Sequence, residues 1–285
     1  MKHDNISKEH RAFLQKSRKK TGIVNAVRLG LLLLLLGLWE LVTALNWADP
    51  FLVSSPSRIA KTIASLYREG TLFYHIGITL SETLIGFFAA IFLGVLIALL
   101  LWWSETLRRI LEPYIVVLNA LPKIALGPLI IIWCGTGSRA IVFMTILVTV
   151  ILVILHMLSA FLSADEGKVL LLKSMGANKA HILAKLVIPS SLPAFVSMLK
   201  VAVGMSWIGS IMGEYIVSRA GLGYLIVYGG QVFKLDLVMA ATVILCFLAA
   251  LMYFLVALLE KKLNLRGGNA RSRRPISAPE RTSYV

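Results

Sequence analysis

Charged side chains are scarce in this sequence: Asp, Glu, Lys and Arg together make up 15% of its 285 residues, against about 25% in ordinary soluble domains. Apolar residues reach 58%. A soluble chain of this size cannot bury that much apolar surface, so a soluble globular domain is excluded. Cysteine is limited to Cys134 and Cys246, both inside apolar runs. A disulfide scaffold is therefore excluded, and each thiol is expected to pack as a small hydrophobe. Histidine occurs five times, and neither His75 nor His156 has further ligands at helical spacing. No metal site and no cofactor are expected. A nucleophile-like Gly204-Met205-Ser206 stands alone, because no histidine follows it to act as base. An intramembrane serine hydrolase is set aside on that ground, and no catalytic residue is assigned.

What the sequence has instead is long apolar runs and a mean hydropathy of +0.82. Six runs stand out, at 27–45, 76–103, 114–134, 140–162, 192–217 and 237–259. Each is near or above the roughly 20 residues that cross a bilayer as a helix. The third contains Pro122 and Pro128, which predicts a kinked helix. The chain reads as all-α and polytopic, with six transmembrane helices.

The net charge of +15 would suggest nucleic acid on a soluble protein; here its placement points to topology, and no nucleic-acid partner is expected. Alternate segments between the runs carry 21 Lys and Arg on one side and six on the other. The positive-inside rule then places both termini in the cytoplasm, as an even number of spans requires. No small-residue cleavage site follows Leu31–Leu36, so the N-terminus reads as an uncleaved signal anchor. Its basic tail either holds orientation or also binds anionic lipid. The expected organisation is a basic cytoplasmic tail at 1–26, a first span with an outer connector at 27–71, a core of five spans at 72–262, and a second basic tail at 263–285. Within the connector, Ile59, Ile63, Leu66 and Tyr67 recur at helical spacing, predicting a short amphipathic helix on the outer surface or a plain connecting helix.

The cytoplasmic segment at 165–193 has its own grammar. Residues 170–175 favour a helix, Gly176 breaks it, and Ala177-Asn178 suits a turn or a new helix start. Residues 179–187 predict a second helix, which Pro189 and Pro193 end before the fifth span. The result is a helix–Gly–helix element.

This segment resembles the signature loop of bacterial binding-protein-dependent ABC importer permeases, whose pattern is Glu-Ala-Ala, three residues, Gly, nine residues, Ile-x-Leu-Pro. With Gly176 on the family glycine, the end of the pattern falls on Leu186, Val187, Ile188 and Pro189, and the Glu-Ala-Ala positions fall on Leu170, Leu171 and Leu172. The acidic residue of the pattern is thus absent. Gly86-Phe87, Leu121-Pro122, Gly127-Pro128-Leu129, residues 133–135 and residues 213–226 resemble the nitrate/sulfonate/taurine-type subgroup. The resemblance covers about residues 52–265. It implies a type I ABC importer permease fold in a bacterial inner membrane and a role as the multi-pass transport subunit, not an enzyme. The implied partners are two ABC ATPase subunits, a second permease copy making a homodimer, and an extracytoplasmic solute-binding protein. The implied ATPase-coupling residues are Leu170, Leu171, Leu172, Gly176, Ala177, Leu186, Ile188 and Pro189. Energy must come from the partner, because the Gly167-Lys168 pair is followed by Val169 and the phosphate-cradling pattern is missing.

Five ionisable residues fall within or near spans: Glu40, Glu82, Lys123, Lys200 and Glu214. Each is costly in lipid and is expected to face protein, water or the interface. Glu40 is read as reaching the nearby interface, Glu82 as lying near the outer one, and Lys123 and Lys200 as reaching cytoplasmic headgroups. Glu214, with Trp207 and Ser210 on the same span, is a candidate pathway residue; Gly209, Ser210 and Gly213 leave a helix-packing role equally open. A secondary transporter without an ATPase is the rival function. It calls for matching broken helices in inverted halves, whereas only the ABC reading needs a helix–Gly–helix lever at 165–193.

Overall fold

A computed structural model describes residues 8–267, and within them all regular structure is helical. In chain order the helices are α1 (Lys8–Ala44), α2 (Pro50–Val53), α3 (Pro56–Arg68), α4 (Leu72–Trp103), α5 (Glu105–Ala120), α6 (Gly127–Cys134), α7 (Ser138–Leu162), α8 (Glu166–Ser174), α9 (Lys179–Ile182), α10 (Ile188–Val217), α11 (Leu222–Gln231) and α12 (Leu235–Gly267). Residues 1–7 and 268–285, which hold parts of the two expected basic tails, lie outside the described residues. Five helical stretches are long and apolar enough to cross a membrane: Gly22–Ala44, Leu72–Trp103, Ser138–Leu162, Lys179–Val217 and Leu235–Lys262. The pair Glu105–Ala120 and Lys123–Cys134 makes a sixth if counted as one broken span.

That pair corrects the expectation of a kinked third helix: the two pieces turn by 90°. Leu121 leaves the helical region (φ −63°, ψ 133°), as a residue before proline prefers to. Pro122 is extended too, and a single 3₁₀ turn, Lys123–Leu126, leads into α6. Lys123 bridges the bend by donating to the Asn119 carbonyl at 2.9 Å.

The chain forms two compact units. The first comprises, among the described residues, 8–70 and 229–240. In it, Glu40 accepts the Ser57 N–H at 3.0 Å and the Ser57 hydroxyl at 2.7 Å. Arg58 pairs with Asp236 at 2.8 Å, and Ser54 donates to the same carboxylate at 2.7 Å. These bonds fix the start of α3, whose Ile59 and Leu66 are buried while Tyr67 stays 61% exposed. The predicted amphipathic helix is therefore present, with Ser55 as its N-cap and Pro56 in its first turn.

The second unit comprises, among the described residues, 71–228 and 241–267. Its centre is the contact of α7 with α4 on one side and α10 on the other. Small residues let the backbones approach. A Cβ on Gly86 or Gly94 of α4 would collide with Thr145 or Val153 of α7. On α10, a Cβ at Gly209 would lie 2.7 Å from the Thr145 Cα, and one at Gly213 would lie 3.0 Å from the Ile141 Cα. Gly209 and Gly213 thus form a Gly-x₃-Gly pair facing α7, the packing that replaces hydrophobic driving force in a bilayer. Hydroxyls join the helices further: Thr83 to Ser210 at 2.7 Å and Thr149 to Ser206 at 3.2 Å. Ser206 is fully buried, which suits packing and gives it no access to a substrate. Lys200 is paired with Glu260 of α12 at 2.8 Å, the kind of partner a charge in or near a membrane needs.

Candidate functional site

The segment predicted to carry function begins at Asp165, which caps α8 by accepting the Lys168 N–H at 3.0 Å. Helix α8 ends in a two-bond stop. The Gly176 N–H donates to the Lys173 carbonyl and the Ala177 N–H to the Leu172 carbonyl, each at 2.9 Å. This Schellman closure needs a left-handed residue, and Gly176 has φ +80°. A Cβ there would meet no atom within 4 Å, so the demand for glycine comes from the backbone alone. Asn178 then caps the next helix, accepting the His181 N–H at 2.8 Å.

Beyond this cap the structure departs from expectation. Pro189 and Pro193 do not separate a short helix from the fifth span, because helix runs unbroken over Lys179–Val217. It does so through one π turn, Leu183–Val187, closed by the Ile188 N–H on the Leu183 carbonyl. Pro189 explains the turn. It has no N–H for the Lys185 carbonyl, and its ring would crowd that carbonyl in a regular α-helix. Shifting the ladder by one residue just before the proline relieves both problems.

The lever presents an apolar tip. Leu170, Leu171 and Met175 are 66%, 60% and 74% exposed, while Leu172 and Ala177 are half-buried. Ile182 and Val187 are buried beneath them, Leu186 is half-buried, and Ile188 and Pro189 are exposed. Between α8 and the spans lies a cavity of about 430 Å³ lined by Trp102, Phe161, Lys173, Ile182 and Val187 among others.

One anchor was missed in the sequence. Lys179 donates to the Trp103 carbonyl at 2.5 Å and lies 5.4 and 5.7 Å from the ring centres of Trp102 and Trp103. That carbonyl ends α4 and has no partner within its helix, and the C-terminal end of a helix attracts a cation. Two indole faces add cation–π attraction. Lys179 is therefore a clamp between the lever and α4. The Trp pair at the end of a span was the available signal.

At the opposite end of α4, Glu214 is 1% exposed. One of its oxygens accepts the N–H of Gly223 at 2.5 Å and of Tyr224 at 3.3 Å, at the start of α11. Gly221 and Gly223 are obligatory here, since a Cβ on either would run into the Glu214 carboxylate. Thr79 and His75 of α4 complete the joint, accepting the N–H of Leu222 at 2.8 Å and of Gly221 at 3.0 Å. Ser210 lies against Thr83, and Trp207 is 4% exposed. These three residues of α10 are buried in helix contacts. Glu82 is 3% exposed and faces Ser138 and Glu214. Among the described residues no group of three or more His, Cys, Asp or Glu could hold a metal ion.

Comparison with known proteins places this architecture. The model of the binding-protein-dependent transport system inner membrane component family matches residues 90–265. The chain is 33% identical to the formylaminopyrimidine transport permease protein ThiX of Halalkalibacterium halodurans, over 67% of this chain and 76% of that protein. It is 29% identical to a probable ABC transporter permease protein of Haemophilus influenzae, over 77% and 89%. It is 25% identical to the taurine transport system permease protein TauC of Escherichia coli, over 82% and 87%. Its fold is similar to that of a chain in the inward-facing MetNI methionine ABC transporter, with TM-score 0.62 and 19% identity over 68% of this chain and 97% of that one. A bacterial ABC transporter importing alginate gives TM-score 0.59 and 13% identity over 87% and 98%. The chain belongs to the family of inner membrane components of binding-protein-dependent transport systems, and is a multi-pass permease subunit of an ATP-driven ABC importer.

Proposed function

We propose that two copies of this chain form the translocation pathway for a small solute of the sulfonate, taurine or nitrate kind, handed over by an extracytoplasmic binding protein and driven by two ATPase subunits. The segment 165–189 is the coupling element. Leu170, Leu171, Leu172, Gly176, Ala177, Leu186, Ile188 and Pro189 form or support the surface that docks on the ATPase. The observation that carries this is the apolar tip: three large side chains, Leu170, Leu171 and Met175, stand exposed on a rigidly capped turn. Exposed apolar clusters of this kind mark interaction sites. The missing acidic residue of the family pattern makes the contact predominantly apolar. The hydrolytic site is on the partner, in line with the absence of a complete phosphate loop in this sequence. The core proposed for transport is 72–262, with both termini cytoplasmic. Closure of the ATPase pair moves the two levers, and each lever moves its bundle through two joints: the unbroken helix Lys179–Val217 and the Lys179–Trp103 clamp.

The test is a cysteine at Met175 paired with cysteines along the ATPase groove in the assembled complex. Disulfide formation that changes with ATP is expected. Absence of any cross-link in an assembled, hydrolysing complex would overturn the docking assignment.

A further inference from the structure

Glu82 of α4 and Glu214 of α10 are 3% and 1% exposed, and their carboxyl groups are hydrogen-bonded to each other. An ionised carboxylate is an acceptor only, so a bond between the two exists only when one of them carries a proton. The surrounding contacts leave one place for it. Glu214 Oε2 is taken by the N–H groups of Gly223 and Tyr224, and Glu82 also bonds with Ser138. Glu82 Oε2 and Glu214 Oε1 are buried with no other donor among the described residues. One proton between these two oxygens satisfies both acceptors. It also removes the repulsion of two ionised carboxylates enclosed together.

Among the described residues no cation takes the proton's place. Arg219 and Arg139, the latter beside Ser138 at the start of α7, form no ion pair with either carboxyl. The other titratable groups around the joint are Tyr74 and His75 of α4, Tyr215 of α10 and Tyr224 of α11. Glu82 lines a cleft of about 370 Å³ with Thr136, Ser138, Ser218 and Arg219, which gives a proton a polar route to water.

We infer that Glu82 and Glu214 form a binding site for a single proton, and that this proton latches α4 to α10 and α11 at the end of α4 opposite the lever. Loss of the proton to water through the cleft leaves both groups ionised, and they repel. The backbone at 221–224 hangs on the same residues: Glu214 holds Gly223 and Tyr224, Thr79 holds Leu222 and His75 holds Gly221. The joint therefore loosens as pH rises. His75 acts in the opposite sense, because an imidazolium has no lone pair on Nδ1 for the Gly221 N–H and would loosen the joint as pH falls. The inference goes beyond the coupling role of 165–189. It makes the end of the bundle that the proposed topology puts outside responsive to the pH there.

The experiment uses the full chain in nanodiscs, with Glu82→Gln and Glu214→Gln as variants. Each amide keeps a hydrogen for the bond between the two side chains but cannot lose it to base. Infrared difference spectra of wild type minus each variant read the protonated carboxyl. Hydrogen-exchange protection at 221–224, corrected for intrinsic rates, is followed from about pH 5 to about pH 10. In the wild type the carboxyl band is present at low pH and vanishes as pH rises, and protection falls over the same range by about tenfold or more. In either variant the band is missing and protection stays constant.

Four outcomes overturn the latch. The wild type can lack a protonated carboxyl that the variants remove, or its protection at 221–224 can stay constant across the range. A fall of protection toward low pH alone would assign the titration to His75. An unchanged pH profile in a folded variant would assign it to another group. If one variant fails to insert, the other and the wild-type exchange profile decide. None of these outcomes touches the importer reading, which fails only if the wild-type chain does not hold an ATPase.

Discussion

At the scale of single residues, the lever depends on two positions of different kinds. Gly176 was legible in the sequence, because a glycine between two helix-forming runs followed by Ala-Asn is a helix stop with a physical cause, and its φ of +80° supplies that cause. Lys179 was not legible as an anchor. A lone lysine at the start of a short helix carries no sign of an anchor, and exposed charges generally contribute little. Its partners, the Trp103 carbonyl and two indole rings, lie 76 residues away in sequence, so only the packing of α9 against the end of α4 shows them. Lys179→Ala is therefore expected to loosen the segment around 163–180 by about 1 kcal/mol or more. In hydrogen exchange on the detergent-solubilised chain, backbone amides there should exchange roughly five- to tenfold faster. Lys179→Arg retains charge and donors and should exchange nearly as the wild type. Unchanged exchange in Lys179→Ala would show that the clamp does not hold the lever.

Elements come next in scale. The apolar runs announced the spanning helices because lipid demands internally bonded backbone over a fixed length, and that demand is written in composition. The joints were harder. Pro122 signalled an interruption, but a kink and a 90° turn begin from the same missing N–H; which one forms depends on where α6 packs. Pro189 signalled a helix end, and the chain instead absorbed it in a π turn, because the carbonyl ladder can slip by one residue when the helix is held at both ends. The packing of α10 on α7 was half legible: small residues at 209, 210 and 213 pointed to close approach, while the identity of the neighbour was hidden. The structure gives that contact a sharp test. Gly213→Val would push against the Ile141 backbone at 3.0 Å, costing about 1–3 kcal/mol. Gly204→Ala on the same helix meets nothing within 4 Å. The thermal midpoint in detergent should fall for the first and stay within error for the second. Equal effects would mean that the Gly-x₃-Gly face is not the contact.

For the whole molecule, the charge asymmetry of the sequence makes a topological statement that the fold by itself does not. Single cysteines at Ser57 and Arg219, both exposed, should react with an impermeant thiol reagent applied from outside. One at Asn178 should react only after permeabilisation. External labelling at Asn178 would invert the topology and remove the lever from the side where ATP is. Assembly is a second statement at this scale. One chain supplies one bundle, and the mass of the intact complex in nanodiscs should correspond to two permeases and two ATPases. A transport-competent complex with a single permease would contradict the two-copy pathway.

Segment 165–189 is proposed to transmit ATP hydrolysis to the spans, and Gly176 offers the cleanest access to that role. A side chain there meets open space, so the chain should fold and insert. The left-handed turn is strained by roughly 1 kcal/mol, and an acidic group is added beside the apolar tip of Leu170, Leu171 and Met175. The decisive measurement is ATPase stimulation by loaded binding protein in reconstituted vesicles, for wild type and Gly176→Asp at equal membrane abundance. We predict normal insertion with stimulation reduced by about tenfold, and stimulation equal to wild type would contradict the coupling role of the segment.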